Sequence, residues 1–407
     1  MKITCMQRGW QRRRKVHPIL VRNLALPVFI LCLLVAFLSP KVSGQSEPAP
    51  QVNPAIDGVL ELFNKKPVVV LGDAHGLAQQ EAFYISFIRD PRFAEQVGNV
   101  VMELGGESAQ GIIDRYVAGE DVPFPELRRV WTDVAGAFAP GETVPMWIVN
   151  FYANVRAVNL KLPPEHRIKV WLGDPKIDWS KIHSFKDLQP FLRQRDENVF
   201  RIINEEILKQ HKKTLVIIGL GHLFGPGGTG PLTAKINQAA PNALAIVSPF
   251  IGYIEPECNA KFVAKANAWP VPAVAGPIDG TWLKAELQLP GCNFIPPARV
   301  EQMKKMAANG PPPGARLLGG GKPPSVADIM AAEINILSGV KSDATLYLGP
   351  PDTLTESPIE PSIYLDLDYF KEEDRRARCC TPGGRPLDWD QIVQQNSVVP
   401  KKFDRSN

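Results

Sequence analysis

The chain has 407 residues, of which 44% are apolar and 22% charged, the balance of a folded globular protein rather than a disordered one. The formal net charge is only +4, and much of the excess base lies in the first 22 residues, at Lys2, Arg8, Arg12, Arg13, Arg14, Lys15 and Arg22. No clustered basic face remains in the rest of the chain, so nucleic acid is not an expected partner.

Residues 23–40 carry no charge and are rich in Leu, Val, Phe and Ile. Behind a basic stretch, this pattern is an export signal, and Val42-Ser43-Gly44 has the small-residue look of a cleavage site before Gln45. The competing reading is an uncleaved anchor, because ~18 apolar residues can just span a bilayer. That segment would be the only contact with the membrane. Under either reading the bulk of the chain is exported, periplasmic or extracellular. Residues 1–44 are therefore assigned to the signal, 45–55 to a Pro-rich linker, and 56–350 to a folded domain.

A short helix is expected over Ile56–Phe63. The apolar run from Pro67 then ends in Gly72-Asp73-Ala74-His75 and reads as a buried strand. Leu77–Arg89 has apolar residues at helical spacing, and Pro91 limits it. A second strand, from Asn99, ends on Glu103. A helix follows near Ser108–Val117, and Glu126–Leu160 is mostly helical with breaks near Pro140 and Pro145. Trp131, Trp147, Phe151 and Tyr152 give that region enough aromatic bulk to roof a cleft. A third strand, Ile168–Leu172, leads to Gly173-Asp174. One or two helices fill His183–Lys212. A fourth strand, Leu215–Ile218, leads through Gly221 to His222. A short helix near Leu232–Ala239 and a fifth strand, Ala243–Val247, complete the alternation.

Residues 255–324 are dense in Pro and Gly and read as an irregular insertion, part of it mobile. Order returns with a helix at Ser325–Leu337 and a last strand, Ala344–Gly349, before a C-terminal extension over 351–407. The βα alternation predicts an α/β fold: a layered, mostly parallel sheet with helices on both faces and its site at the strand carboxyl ends. Of the four cysteines beyond the signal, Cys258 and Cys292 are the expected disulfide pair in an exported chain. Cys379 and Cys380 are adjacent and harder to place, and no Cys-x-x-Cys pattern suggests zinc.

Four strand ends thus present His75, Glu103, Asp174 and His222, residue types used in metal binding and acid–base chemistry. Each also has a plainer reading. Asp73 orients His75 or caps the next helix. Glu103 is costly to bury unpaired, so it takes a cation, a metal or a proton, or pairs with an arginine such as Arg115. Asp174 orients substrate or simply makes a turn. Arg195-Asp196-Glu197-Asn198 is a solvated helical face, or Arg195 is a substrate clamp. The glycine-rich turn after His222 lacks the Walker ending of a phosphate loop.

At these residues the chain resembles the superfamily that joins erythromycin esterase-like, ChaN-like haem-uptake and TraB/Tiki-type proteins. Gly72-Asp73-Ala74-His75 is similar to its first motif and Glu103 to the glutamate after its second strand. Gly221-His222-Leu223-Phe224-Gly225 resembles the late turn of the TraB/Tiki branch. Gly173-Asp174, Arg195-Asp196 with Asn198, and the strand Asp343–Tyr347 look like the esterase branch. The likeness covers about residues 60–250 and the strand near 345. Asp73 stands where that motif usually has glutamate, and Leu223 and Phe224 stand where the esterase branch has a second late histidine.

The resemblance implies one of two functions. The first is an exported hydrolase of an ester or peptide substrate, small-molecule or peptidic. In it a neutral His75 activates water, Glu103 and His222 orient it or complete a site for a divalent metal (Zn, Mn or Fe), and Asp73, Asp174 and Arg195 position substrate. Two histidines and a carboxylate with an open position form a recognised arrangement for lowering the pKa of bound water to ~7. The alternative is a haem or iron-ligand binding protein, with Tyr84, Tyr116, Tyr152, His75 or His222 as axial ligand.

Overall fold

A computed structural model describes residues 47–136, 144–309, 325–381, 384–395 and 401–403. The proposed signal, Pro140 and the clusters Gly310–Gly314 and Gly319–Pro324 lie outside the described residues. Among the described residues no helix is long and apolar enough to cross a membrane.

One eight-stranded sheet organises the chain. Its strands are β1 (Gln51–Pro54), β2 (Val68–Asp73), β3 (Asn99–Gly106), β4 (Lys169–Asp174), β5 (Thr214–Gly219), β6 (Leu244–Pro249), β7 (Ala273–Gly276) and β8 (Ala344–Tyr347). They lie in the order β1-β7-β8-β6-β2-β5-β3-β4. The run from β8 to β4 is parallel throughout, while β7 pairs antiparallel with both β8 and β1. This is the layered α/β fold that the strand–helix alternation predicts.

The central strands read as unbroken apolar runs because both of their faces are covered. Val69, Leu71, Val100, Met102, Leu215 and Ile217 face one core, which includes Phe83, Phe87, Trp131, Trp147, Phe151 and Tyr152. Val68, Val70, Val101, Val216 and Ile218 face the other, packed by Val199, Ile202, Leu232 and Ile236. The aromatic residues expected to roof a cleft therefore belong to the core: Trp131 is 1% exposed and Phe151 and Tyr152 are fully buried. Helices Phe124–Thr132 and Met146–Asn159 form as expected from their apolar spacing, but they pack under the sheet.

Two expectations need correcting. Gln51–Pro54, placed in the linker, is a strand paired with Ala273–Gly276. Residues 255–309, placed in the irregular insertion, hold helices Pro256–Ala266, Trp282–Glu286 and Pro297–Asn309 besides β7. Both strands are four residues long and flanked by or contain proline, so they lack the length and alternation that mark a strand. Pro54 is tolerated because β1 is an edge. This region has its own core of Phe250, Tyr253, Phe262, Leu283 and Tyr347, and the Cys258–Cys292 disulfide pins it. The C-terminal residues are not an appendage either, since Leu77 bridges Glu356 and Pro145 bridges Ile359.

The disulfide closes a loop of sequence separation 34. Replacing Cys258 and Cys292 together by alanine is expected to lower unfolding free energy by about 3–4 kcal/mol on the chain-entropy account, as measured by urea denaturation of the oxidised and substituted proteins.

Candidate active site

The parallel strands β2, β5, β3 and β4 lie side by side, so their carboxyl ends deliver four side chains to one place. Glu103 stands at its centre. It is 4% exposed and follows Met102, where the β3–β4 register shifts before Gly106. Such an irregularity re-aims a side chain at the end of a strand. Arg195 Nη2 donates to Glu103 Oε1 at 2.5 Å, and His222 Nε2 lies 3.1 Å from the same oxygen. The Gly219 N–H donates to Oε2. Burial alone would raise the Glu103 pKa, but Arg195, His222 and His75 together hold it well below the usual carboxylate range.

The partner of Glu103 is thus Arg195 and not Arg115, which pairs with Glu126. Arg195 belongs to the middle of helix Phe185–Ile202 and is largely buried; it also donates Nε to Asp174 Oδ1 at 2.7 Å. The second oxygen of Asp174 accepts the Ala135 N–H. Burial pushes the Asp174 carboxyl up in spite of Arg195. Asp174 and Arg195 therefore brace Glu103 from behind, which corrects their expected role as substrate-positioning groups. Within the charged stretch, Arg195 and Asp196 turn inward, while Arg193 and Glu197 are solvated.

The two histidines are built alike and finish differently. His75 Nδ1 lies 2.7 Å from Asp73 Oδ2, and the other Asp73 oxygen accepts the Tyr84 hydroxyl at 2.9 Å. Asp73 thereby orients His75, while the following helix takes no side-chain cap. His75 Nε2 is 4.0 Å from Glu103 Oε2, beyond hydrogen-bond reach, and the side chain is 40% exposed. His222 Nδ1 lies 2.5 Å from Asp196 Oδ1 and Nε2 faces Glu103, with the side chain only 17% exposed. Carboxylates only accept, so His222 must donate from both nitrogens and is held as an imidazolium. Burial lowers both imidazolium pKa values, but Asp73 and Glu103 lift His75 to about 9, and Glu103 and Asp196 lift His222 to about 9.

His75, Glu103 and His222 do converge, yet not as a metal site. Among the described residues no group of three His, Cys, Asp or Glu side chains has the placement to hold a metal ion. Both oxygens of Glu103 are taken, a guanidinium sits where a cation would, and His222 has no lone pair to offer. The expected divalent metal does not fit these residues. Nor do the tyrosines suit an axial ligand: Tyr84 is spent on Asp73, Tyr152 on the Leu104 carbonyl, and Tyr116 lies beneath Arg156.

Four groups escaped the reading of the sequence as site residues. Asp196 differs from Arg195 by one helical step and so reaches His222 while its neighbour reaches Glu103. Gln80 is fully buried and laces the histidine-bearing turn by accepting from the Ala74 N–H and donating to the Gly72 carbonyl. Glu81, buried close to Asp73, is pushed up to about 8 by burial. Gly219 is the closest of all: a Cβ there would sit 2.9 Å from His75 Nε2 and 3.2 Å from Glu103 Oε2. A glycine closing an apolar strand was the visible signal for it.

No protein family and no curated protein matches the chain. Several solved structures are similar over part of it. One, described as bacterial protein toxins, is 17% identical with a TM-score of 0.31, covering 48% of this chain and 36% of that one. The ChaN protein of Campylobacter jejuni, described with cofacial haem binding, is 12% identical with a TM-score of 0.32, covering 52% and 94%. A Bacillus cereus protein is 12% identical with a TM-score of 0.30, covering 49% and 70%. The chain spans about a third of the length of the toxin structures.

Two outcomes are expected from this geometry. Gly219→Ala should cost about 1–3 kcal/mol in urea unfolding, because the new methyl overpacks the cluster between His75 and Glu103. Folding raises both imidazole pKa values from 6.5 to about 9, so their stabilisation is complete below 6.5 and is lost as pH climbs through 9. The melting temperature of the wild-type chain should fall across that window, and that of His222→Gln should fall less steeply. A pH dependence unaltered by His222→Gln would show that the imidazolium is not coupled to Glu103.

Proposed function

We propose that the chain is an exported hydrolase that cleaves an ester or peptide bond with water activated at His75, by the chemistry its resemblance to the erythromycin esterase/ChaN/Tiki group implies. The observation that carries this reading is the Asp73–His75 dyad, whose imidazole is the most exposed of the cluster while Glu103 lies 4.0 Å from its Nε2. Export is supported by the basic and then apolar start of the sequence and by the Cys258–Cys292 disulfide.

The division of labour follows from the hydrogen bonds. Asp73 accepts from His75 Nδ1–H, so Nε2 is the nitrogen that takes a proton from water and later returns it to the leaving group. The fixed charge of Glu103 stabilises the imidazolium formed in that step. Glu103 itself cannot drift, because Arg195, His222 and the Gly219 N–H hold it. His222 is a positioning residue in this scheme, since both its nitrogens are engaged. The same negative surroundings make His75 a stronger base than a free imidazole and keep it protonated at neutral pH, which corrects the expectation of a neutral base near pH 7.

The test is a screen of chromogenic esters and peptides, followed by kinetics on whichever responds. His75→Ala is expected to lower kcat by about 10²–10⁴-fold. The pH–rate profile should rise with an inflection near pH 9, set by His75, and level off only above it. In Asp73→Asn the inflection should move toward lower pH. Turnover that survives His75→Ala, or a profile flat from pH 6 to 9, would sink the reading. A haem absorbance band abolished by His75→Ala, without turnover of any substrate, would favour the haem-binding alternative.

A further inference from the structure

A cavity of about 590 Å³ opens beside this cluster and has no part in the scheme above. Its wall includes Ser108, in the turn directly after β3, and Trp179 and Ser180, in the turn after β4. It therefore sits at the same end of the same sheet, where ligands of open α/β folds bind, and has the size of a small-molecule pocket. The segment Asp133–Ala135 joins the two places. Asp133 lines the cavity, and the Ala135 N–H holds Asp174 of the cluster.

The donors left unused in the wall point to its ligand. Arg375 gives Nε and Nη2 to Glu372, Nη2 also to the Trp179 carbonyl, and Nη1 to the Ile182 carbonyl. Arg376 binds Glu372, the Thr132 carbonyl and Asp133, and its guanidinium lies 4.4 Å over the Trp179 ring. Both are committed and stiffen the wall. Arg129 spends only Nε, on Asp133 at 2.9 Å, and no described residue takes its terminal nitrogens. Glu372, Asp133 and Glu373 together answer the three guanidinium groups, and Asp178 is answered by Lys181. The carboxylates thus match the guanidinium groups in number, and the donors left unused among the described residues are the terminal nitrogens on the planar two-nitrogen fork of Arg129.

We propose that this cavity is a recognition pocket for a carboxylate of the ligand, with Arg129 as its bidentate anchor. A planar fork matches a planar carboxylate. Resting on the hydrolase reading, the substrate is then an ester or amide that also carries a free carboxylate.

Binding can be measured without turnover. Succinate, succinamide and inorganic phosphate are titrated calorimetrically into the full-length protein, with unfolding midpoints recorded for every variant. Succinate is expected to bind at least about tenfold more tightly than succinamide, as a charge-assisted contact would give. Arg129→Gln and Arg129→Lys should each lose about tenfold, and His75→Ala should lose nothing. Ser108→Trp, which adds bulk to the cavity wall, should abolish binding. Equal affinity for succinamide, tighter binding of phosphate, or binding that survives both Arg129→Gln and Ser108→Trp would overturn the proposal. His75-dependent hydrolysis that ignores Arg129→Gln would overturn it while leaving the hydrolase reading intact. Arg129-dependent binding in a protein that hydrolyses nothing would do the reverse.

Discussion

A carboxylate buried at the end of a parallel sheet is the constraint around which the rest of this molecule is arranged. Glu103 is almost fully enclosed, and an unpaired charge at such a depth would cost several kcal/mol. Its neutralisation recruits a guanidinium from helix Phe185–Ile202, an imidazolium from the turn after β5 and a backbone N–H from the last residue of β5. Each of these needs support of its own. Arg195 is anchored by Asp174 and His222 by Asp196, so one buried charge draws two further carboxylates into place. The alternation of sign is what lets so many ionised groups share a small, dry volume.

Within that lattice His75 is the most exposed member. Its ring is gripped on one side by Asp73 but is not bonded to Glu103. The turn that carries it is held from three directions. Gln80 laces Gly72 to Ala74 from the following helix. Gly76 takes a positive φ of 81°, where a side chain would strain the backbone. The C-terminal segment then straps the turn from outside, with the Ser357 N–H on the Gly76 carbonyl and the Ala78 N–H on the Thr355 carbonyl. The half-exposed imidazole of His75 is thereby kept in one orientation by Asp73 and by the backbone bonds of its turn.

The C-terminal residues do more than strap. Helix Leu367–Cys380 supplies Arg375 and Arg376 to the polar cavity, and Cys380 is buried against Ala135, Trp179 and Leu188. Cys379 and Cys380 are joined to each other at its end. The described residues from 351 onward are therefore structurally part of the domain, even though nothing in their composition announces a sheet or a repeat.

The strands and their order of chemistry were legible in the sequence because a buried parallel strand leaves an unmistakable trace: an apolar run that ends, close to a glycine, on a polar residue. His75, Glu103, Asp174 and His222 could be named from that trace alone. Their roles could not. Whether Glu103 meets a metal or an arginine depends on which helix face lands above it, and Arg195 and Asp196 look like any solvated pair until helix Phe185–Ile202 is laid across β4 and β3. Likewise Gln51–Pro54 and Ala273–Gly276 become strands only through pairing with each other, since neither has the length to declare itself. Periodicity is a local property, and one chain of residues records it faithfully. The choice of partner for a buried charge is made by contacts between residues about a hundred positions apart, and only the tertiary structure decides it.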